Sequence, residues 1–286
     1  MVEGARLSVR GKWALFAAPV VLVVGGVAGG RIVYGQLQPA DPPVAVAAPD
    51  GAALFQKNCA VCHGPEGKGD GTAVISPRAR YFGFDKFRFS TTPNGMPCPD
   101  DFARLLAHGI PGSAMPKFET LHPDDVAALY HHVRALARDG VFERWRRKVL
   151  KDDPDDPDLT LAAKKVEAET AEQPCLVPPS LPAVRNLANG RRIFTTSCAP
   201  CHGPQGKGDG PQEQKTDDGT PIRPRDLTTG IYKGGGRTQD LYARIVLGIP
   251  GTPMPATTTL SFQDLADLIG FVQSLAKNNP AGTVQK

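Results

Sequence analysis

Apolar positions along the chain fall into helical stripes separated by long polar loops. After Asp124 they recur at Val126, Leu129, Tyr130, Val133 and Leu136, and after Ser261 at Leu265, Leu268, Ile269, Val272 and Leu275. Spacings of three and four residues line one face of a helix, so each run predicts an amphipathic helix whose stripe is core. Asp264, three residues past Ser261, strengthens the second start. Shorter helices are predicted after Asp50 and Asn189, both good N-cap residues, with Leu54 and Phe55 or Ile193 and Phe194 inward. Another follows Asp100 or Thr238, buries Leu105 and Leu106 or Ile245 and Val246, and stops at Gly109 or Gly248. No alternating run predicts a convincing strand, so the expected fold class is all-α.

These elements come in two sets because the sequence repeats itself at an offset of 139 residues, Cys59 to Cys198. Cys59-Ala60-Val61-Cys62-His63 returns as Cys198-Ala199-Pro200-Cys201-His202, and Gly64-Pro65-Glu66-Gly67-Lys68-Gly69-Asp70-Gly71 returns from Gly203 to Gly210. The match holds without net insertion to Gly109-Ile110-Pro111-Gly112 against Gly248-Ile249-Pro250-Gly251, and to Met115-Pro116 against Met254-Pro255.

A different pattern opens the chain. Trp13 to Gly30 carries no charge and is preceded by Arg6, Arg10 and Lys12. As a helix it would span roughly 27 Å, close to a bilayer core of about 30 Å. The basic flank predicts the N-terminus inside and the rest exported. The alternative is a cleaved signal peptide, but Ala45-Val46-Ala47, the good small-residue site, lies far beyond the apolar stretch. The expected organisation is a tip and transmembrane anchor over 1–34, a tether over 35–49, one domain over 50–150, a linker over 151–182 and a second domain over 183–286. The linker carries eight acids from Asp152 to Glu172, broken by prolines such as Pro154 and Pro157, and reads as solvated chain whose length argues against a closely packed pair of domains.

Composition adds two points. Gly 31 and Pro 28 against 7% aromatic residues imply short helices, tight loops and little side-chain core, a deficit that a large apolar cofactor would fill. The net charge of +4, without an arginine stripe or aromatic platform, excludes nucleic acid as the partner.

C-x-x-C-H is the attachment signature of c-type haem: two thiols add to the vinyl groups and the next imidazole reaches the iron. A redox dithiol would need a βαβ setting, and a four-ligand zinc site would have to share cysteines between distant domains. Exported thiols also tend to oxidise unless consumed, as haem attachment consumes them. A thioether sulfur suits the sixth position of an electron carrier. Met115 lies 52 residues after His63 (115 − 63) and Met254 lies 52 after His202 (254 − 202), so the repeat selects these two. Met96 faces Gly235 at that offset and His108 faces Leu247, while His122, His131 and His132 face Ser261, Gly270 and Phe271 and read as surface or helix-end residues. Cys98 and Cys175 have no repeat partner, and in an oxidising compartment such a leftover pair favours a disulfide.

Each half resembles a small all-helical cytochrome c domain, over roughly 50–138 and 189–276. The resemblance implies two covalent haem c groups, with His63 and His202 as proximal ligands, Met115 and Met254 as distal ones, and Cys59, Cys62, Cys198 and Cys201 as the attachment residues. In that family a proline carbonyl after the haem motif often accepts the proximal imidazole's other N–H; Pro77 is a candidate in the first half, with no clear equivalent in the second. The anchored pair is similar to the dihaem subunit of cbb3-type oxidases and to other membrane-bound respiratory carriers. That implies a single-pass protein of the bacterial inner membrane with its haem domains in the periplasm and redox partners in or near the membrane. It also implies an electron carrier without catalytic residues, not an enzyme. A dihaem peroxidase, which needs one iron open to peroxide, and a haem-based sensor are the alternatives.

Overall fold

The computed structural model describes residues 48–84, 86–154, 159–183, 185–217 and 219–277. The predicted anchor lies outside them, and among the described residues no helix is long and apolar enough to cross a membrane. The first repeat contains α1 (Gly51–Asn58), α2 (Ala60–His63), α3 (Pro99–His108) and α4 (Pro123–Asp152). After α5 (Thr160–Thr170) the second repeat contains α6 (Leu187–Ile193), a π-helical turn (Phe194–Cys198), α7 (Ala199–His202), a 3-10 turn (Leu227–Thr229), α8 (Thr238–Leu247) and α9 (Phe262–Lys277).

The local sequence explains most starts and stops. The Asp50 carboxylate accepts the N–H groups of Ala52 and Ala53, which caps α1, an interaction typically worth about 1 kcal/mol. The equivalent cap of α6 is Asn186, three residues before the expected Asn189. Asn189 is committed elsewhere: its amide donates to Asp264 and Asp267 of α9, tying the first helix of the repeat to the last. Gly109 at φ 61° and Gly248 at φ 69° end α3 and α8, as expected for residues free of a Cβ penalty.

In each repeat the first and last helices cross at a glycine. A Cβ on Gly51 would lie 2.2 Å from the Ala128 carbonyl oxygen of α4, and one on Gly190 2.1 Å from that of Asp267 in α9. Around these crossings lie two cores. One gathers Phe55, Phe102, Leu106, Leu129, Tyr130 and Val133; the other gathers Ile193, Phe194, Leu241, Leu265, Leu268, Ile269 and Val272. Phe55 and Leu129 are essentially inaccessible, and burying one such side chain contributes roughly 1.5–3 kcal/mol. His132, expected at the surface, is half-buried at the α1–α4 crossing with its ring 5.2 Å from Phe55.

Three expectations are corrected. First, α4 does not stop near Leu136 but runs 30 residues to Asp152. Its extension packs on α5, where Ala162, Val166 and Thr170 are buried, so part of the supposed solvated linker is folded. The Trp145 indole donates to Glu169 at 2.7 Å, Arg144 pairs with the same carboxylate, and Arg134 donates to the Thr170 carbonyl at 2.8 Å. Among the linker acids, Glu167 and Glu169 pair with Arg138 and Arg144 of α4. Beyond α5, Cys175 is joined to Cys98 with 5.5 Å between Cα atoms, and the Leu176 N–H bonds the Thr91 carbonyl.

Second, the repeat conceals two compensating length changes. The Phe82 N–H bonds the Gly67 carbonyl and the Leu227 N–H bonds that of Gly206, so Phe82 corresponds to Leu227 at an offset of 145 (227 − 82) rather than 139. The six extra residues (145 − 139) of the second repeat form a hairpin in which β1 (Gln214–Lys215) pairs antiparallel with β2 (Pro221–Ile222), a short ladder in a chain expected to have none. The first repeat recovers them in the segment around Ser90 to Cys98, which carries the disulfide.

Third, the two repeats are packed together. Buried Arg244 of α8 donates to the carbonyls of Arg88 and Ser90, at 2.7 Å and 2.5 Å. Arg104 of α3 donates to Asp240 at 2.9 Å while also holding Asp101 at 2.8 Å. The linker's length did not keep the domains apart, because α5 folds back on α4 and the Cys98–Cys175 bridge ties the chain beyond α5 to the first repeat.

Candidate haem sites

Cys59, Cys62 and His63 share one helical turn. The His63 N–H bonds the Cys59 carbonyl at 2.9 Å, and spacings of three and four residues put the two sulfurs and the imidazole on one face. The turn recurs where α7 carries Cys201 and His202: the Gly203 N–H closes it on the Ala199 carbonyl at 2.8 Å, as Gly64 does on Ala60. The second repeat enters its motif through the π-helical turn, which the first lacks.

Burial pushes the thiols of Cys59 and Cys198 up to about 11, with Cys62 and Cys201 adding to it. Burial likewise lowers the pKa of His63 and His202, so both imidazoles are neutral at physiological pH. A neutral imidazole is the form that binds a metal, and the nitrogen it offers is set by the bond made by the other. His63 directs Nδ1 at the Arg80 carbonyl, 3.3 Å away, which leaves Nε2 for a ligand. The corresponding carbonyl in the second repeat is that of Arg225 (80 + 145), and it holds the His202 pKa up against burial. His202 Nδ1 is itself buried and outside ordinary hydrogen-bond geometry. Pro77, a candidate for this role in the sequence, is exposed and three residues before Arg80.

The methionines sit in matching turns. The Ile110 N–H bonds the Met115 carbonyl at 3.1 Å, and Ile249 does the same to Met254, also at 3.1 Å. The Ser113 and Thr252 hydroxyls each cap the turn by accepting the methionine N–H at 3.3 Å. Met115 is half-buried against the same core as Cys59 and Phe82, and Phe82 stacks on the His63 ring with centroids 4.7 Å apart. Met96 is buried in the Ser90–Cys98 segment and offers its carbonyl to the Ser90 hydroxyl, which makes it a packing residue. His108 lies exposed at the end of α3, and His122 caps α4.

This donor set fits haem c: two thiols and a neutral imidazole on one face, a buried Nδ1 facing a carbonyl, and a soft thioether on a separate rigid turn. The carbonyls of Arg80 and Arg225 were not legible beforehand. Aligning the repeats from the Gly67 and Gly206 loops, instead of at a fixed offset, would have paired them.

Known proteins agree with this chemistry. The family described as cytochrome c matches residues 187–276, and that described as cytochrome c oxidase, cbb3-type, subunit III matches residues 46–133. Among solved structures, the chain is similar to one from the Kuenenia stuttgartiensis reducing HAO-like protein complex Kustc0457/Kustc0458. The two are 31% identical with a TM-score of 0.61, over 79% of this chain and 94% of that one. No curated protein matches the chain. The likeness corrects the expectation of a carrier that is no enzyme, because HAO denotes an enzyme family, hydroxylamine oxidoreductase. Haem-based electron transfer stands, and on these motifs, folds and likenesses the chain belongs to the dihaem c-type cytochromes.

Proposed function

We propose that the chain transfers electrons through two covalently bound haem c groups, as the electron-transfer subunit of a membrane-bound oxidoreductase complex. The observation that carries this reading is the duplicated helical turn of Cys59, Cys62 and His63 and of Cys198, Cys201 and His202, each accompanied by a methionine turn of the same hydrogen bonding. Haem supplies a one-electron iron couple. His63 and His202 would hold the iron through neutral imidazoles, the first oriented by the Arg80 carbonyl. Met115 and Met254 would supply thioether ligands, which favour ferrous iron and raise the potential. The uncharged Trp13–Gly30 segment supports an anchor in the bacterial inner membrane with the haem domains in the periplasm and partners in or near the membrane. The likenesses to a cbb3-type oxidase subunit and to a chain of a reducing HAO-like complex support a place within an enzyme complex.

Paramagnetic resonance of the oxidised full chain tests the ligation. Two low-spin ferric signals are expected, and a high-spin signal at neutral pH would overturn it. Purification from membranes with this chain as bait should recover a redox enzyme in fixed ratio; isolation of the chain alone would overturn the subunit role.

A further inference from the structure

One residue touches both sites. Arg225 stands two residues before Leu227 as Arg80 stands two before Phe82, so its backbone takes the place beside the second motif that the Arg80 carbonyl takes beside His63, while its side chain crosses to the other repeat and lies on Gly112, three residues before Met115. A Cβ on Gly112 would be 2.6 Å and 3.2 Å from the two terminal guanidinium nitrogens and 3.3 Å from the central carbon, so the forked edge of the group points at that glycine. Its Nε donates to the Ile231 carbonyl at 3.0 Å, which fixes its direction. The contact is specific to one side: Gly251, the repeat counterpart of Gly112 with a similar positive φ, has nothing within 4 Å of a Cβ. Arg244, bonded to the carbonyls of Arg88 and Ser90, and Phe89, 2.9 Å from a Cβ on Gly234, hold the two repeats in this register. Lys233 stands in the same region, where burial and then the charges of Arg225 and Arg88 lower its pKa.

Resting on the proposed haem-based function, we infer that Arg225 is the positioning residue that couples the two haem sites, joining the proximal side of the second to the distal loop of the first. With haem held at both motifs, these residues would keep two one-electron iron couples side by side, and exchange between them would need no proton or further reactant. The guanidinium charge acts on the first site, where it favours the less positive ferrous state. The second site feels chiefly the backbone carbonyl, which any residue at position 225 supplies. The pair is therefore asymmetric although the sequence repeat is nearly symmetric.

Redox titration of each haem in the full matured chain, with haems assigned through their axial methionine methyl resonances, tests the coupling. Arg225→Gln should lower the ferrous-to-ferric ratio of the Met115 haem about tenfold at fixed potential, 59 mV for a one-electron couple. The Met254 haem should change by less than about threefold, and Arg225→Lys should restore the first haem. No shift, or equal shifts at both haems, would overturn the inference. If Arg225→Gln loses haem, the pair Gly112→Ala and Gly251→Ala decides, since both strain a similar backbone but only the first meets Arg225. A shift confined to Gly112→Ala supports the coupling, and equal behaviour of the two variants refutes it. A wild-type chain without two haems would instead refute the proposed function.

Discussion

Arg244 of the second repeat donates to the backbone carbonyl of Arg88 in the first at 2.7 Å, joining residues 156 apart in sequence. Its second bond, to the Ser90 carbonyl, makes one buried guanidinium the chief fastening between the repeats. Arg244→Ala leaves two acceptors without their donor in a region closed to water, where an unsatisfied group costs roughly 1–3 kcal/mol. Calorimetry should show the single unfolding transition lowered in Tm and split towards two. An unchanged single transition would show that the fastening contributes little.

The Cys98–Cys175 bridge closes a loop of 77 residues and pins the chain beyond α5 to the Ser90–Cys98 segment that Arg244 grips. Bridges of this kind typically contribute 2–4 kcal/mol. Cys175→Ser should lower stability to denaturant by about that amount while leaving the visible haem spectrum unchanged. A spectral change would mean that the bridge shapes the first haem site as well.

Asp267 is buried in α9, and burial alone would raise its pKa, yet hydrogen bonds from the Asn189 side chain, the Asn186 backbone and the Gln263 side chain outweigh this and lower it from 3.8. With the folded pKa below the unfolded one, the contribution to stability is complete above the unfolded value and is lost as pH falls through the folded one. Asp267→Asn should flatten the acid limb of a stability–pH curve below about pH 4. An equally steep limb in the variant would remove Asp267 from the account.

The distal assignments separate three methionines. Met115→Ala and Met254→Ala should each open one ferrous haem to carbon monoxide and lower that haem's potential, while Met96→Ala should do neither. Carbon monoxide binding by the unaltered reduced chain, or by Met96→Ala, would displace the assignment.

The proposed attachment residues stand out in the sequence because covalent chemistry fixes their spacing, and the proposed methionine ligands because the repeat places both at one distance from their histidines. The carbonyls of Arg80 and Arg225 do not, since any residue supplies a carbonyl and the hairpin at Gln214–Ile222 shifts the second copy by six positions. The extension of α4 left no local signal, because Gly140 is a poor helix former and the charged run from Glu143 to Lys151 does not continue the apolar stripe. Gly140 is there because a Cβ would meet the Gly83 backbone at 2.4 Å, and Arg144 turns towards α5 while Arg146 and Arg147 pair with Glu143. The Arg244 fastening joins segments too distant for any local pattern, and tertiary packing alone reveals it.

The central claim is that both cysteine motifs carry haem. The intact mass of the full chain, produced in a host that matures c-type cytochromes and measured under denaturing conditions, tests it most directly. The account predicts two haem additions that survive denaturation, falling to one in Cys198→Ala. A mass showing one addition or none in the unaltered chain would contradict it.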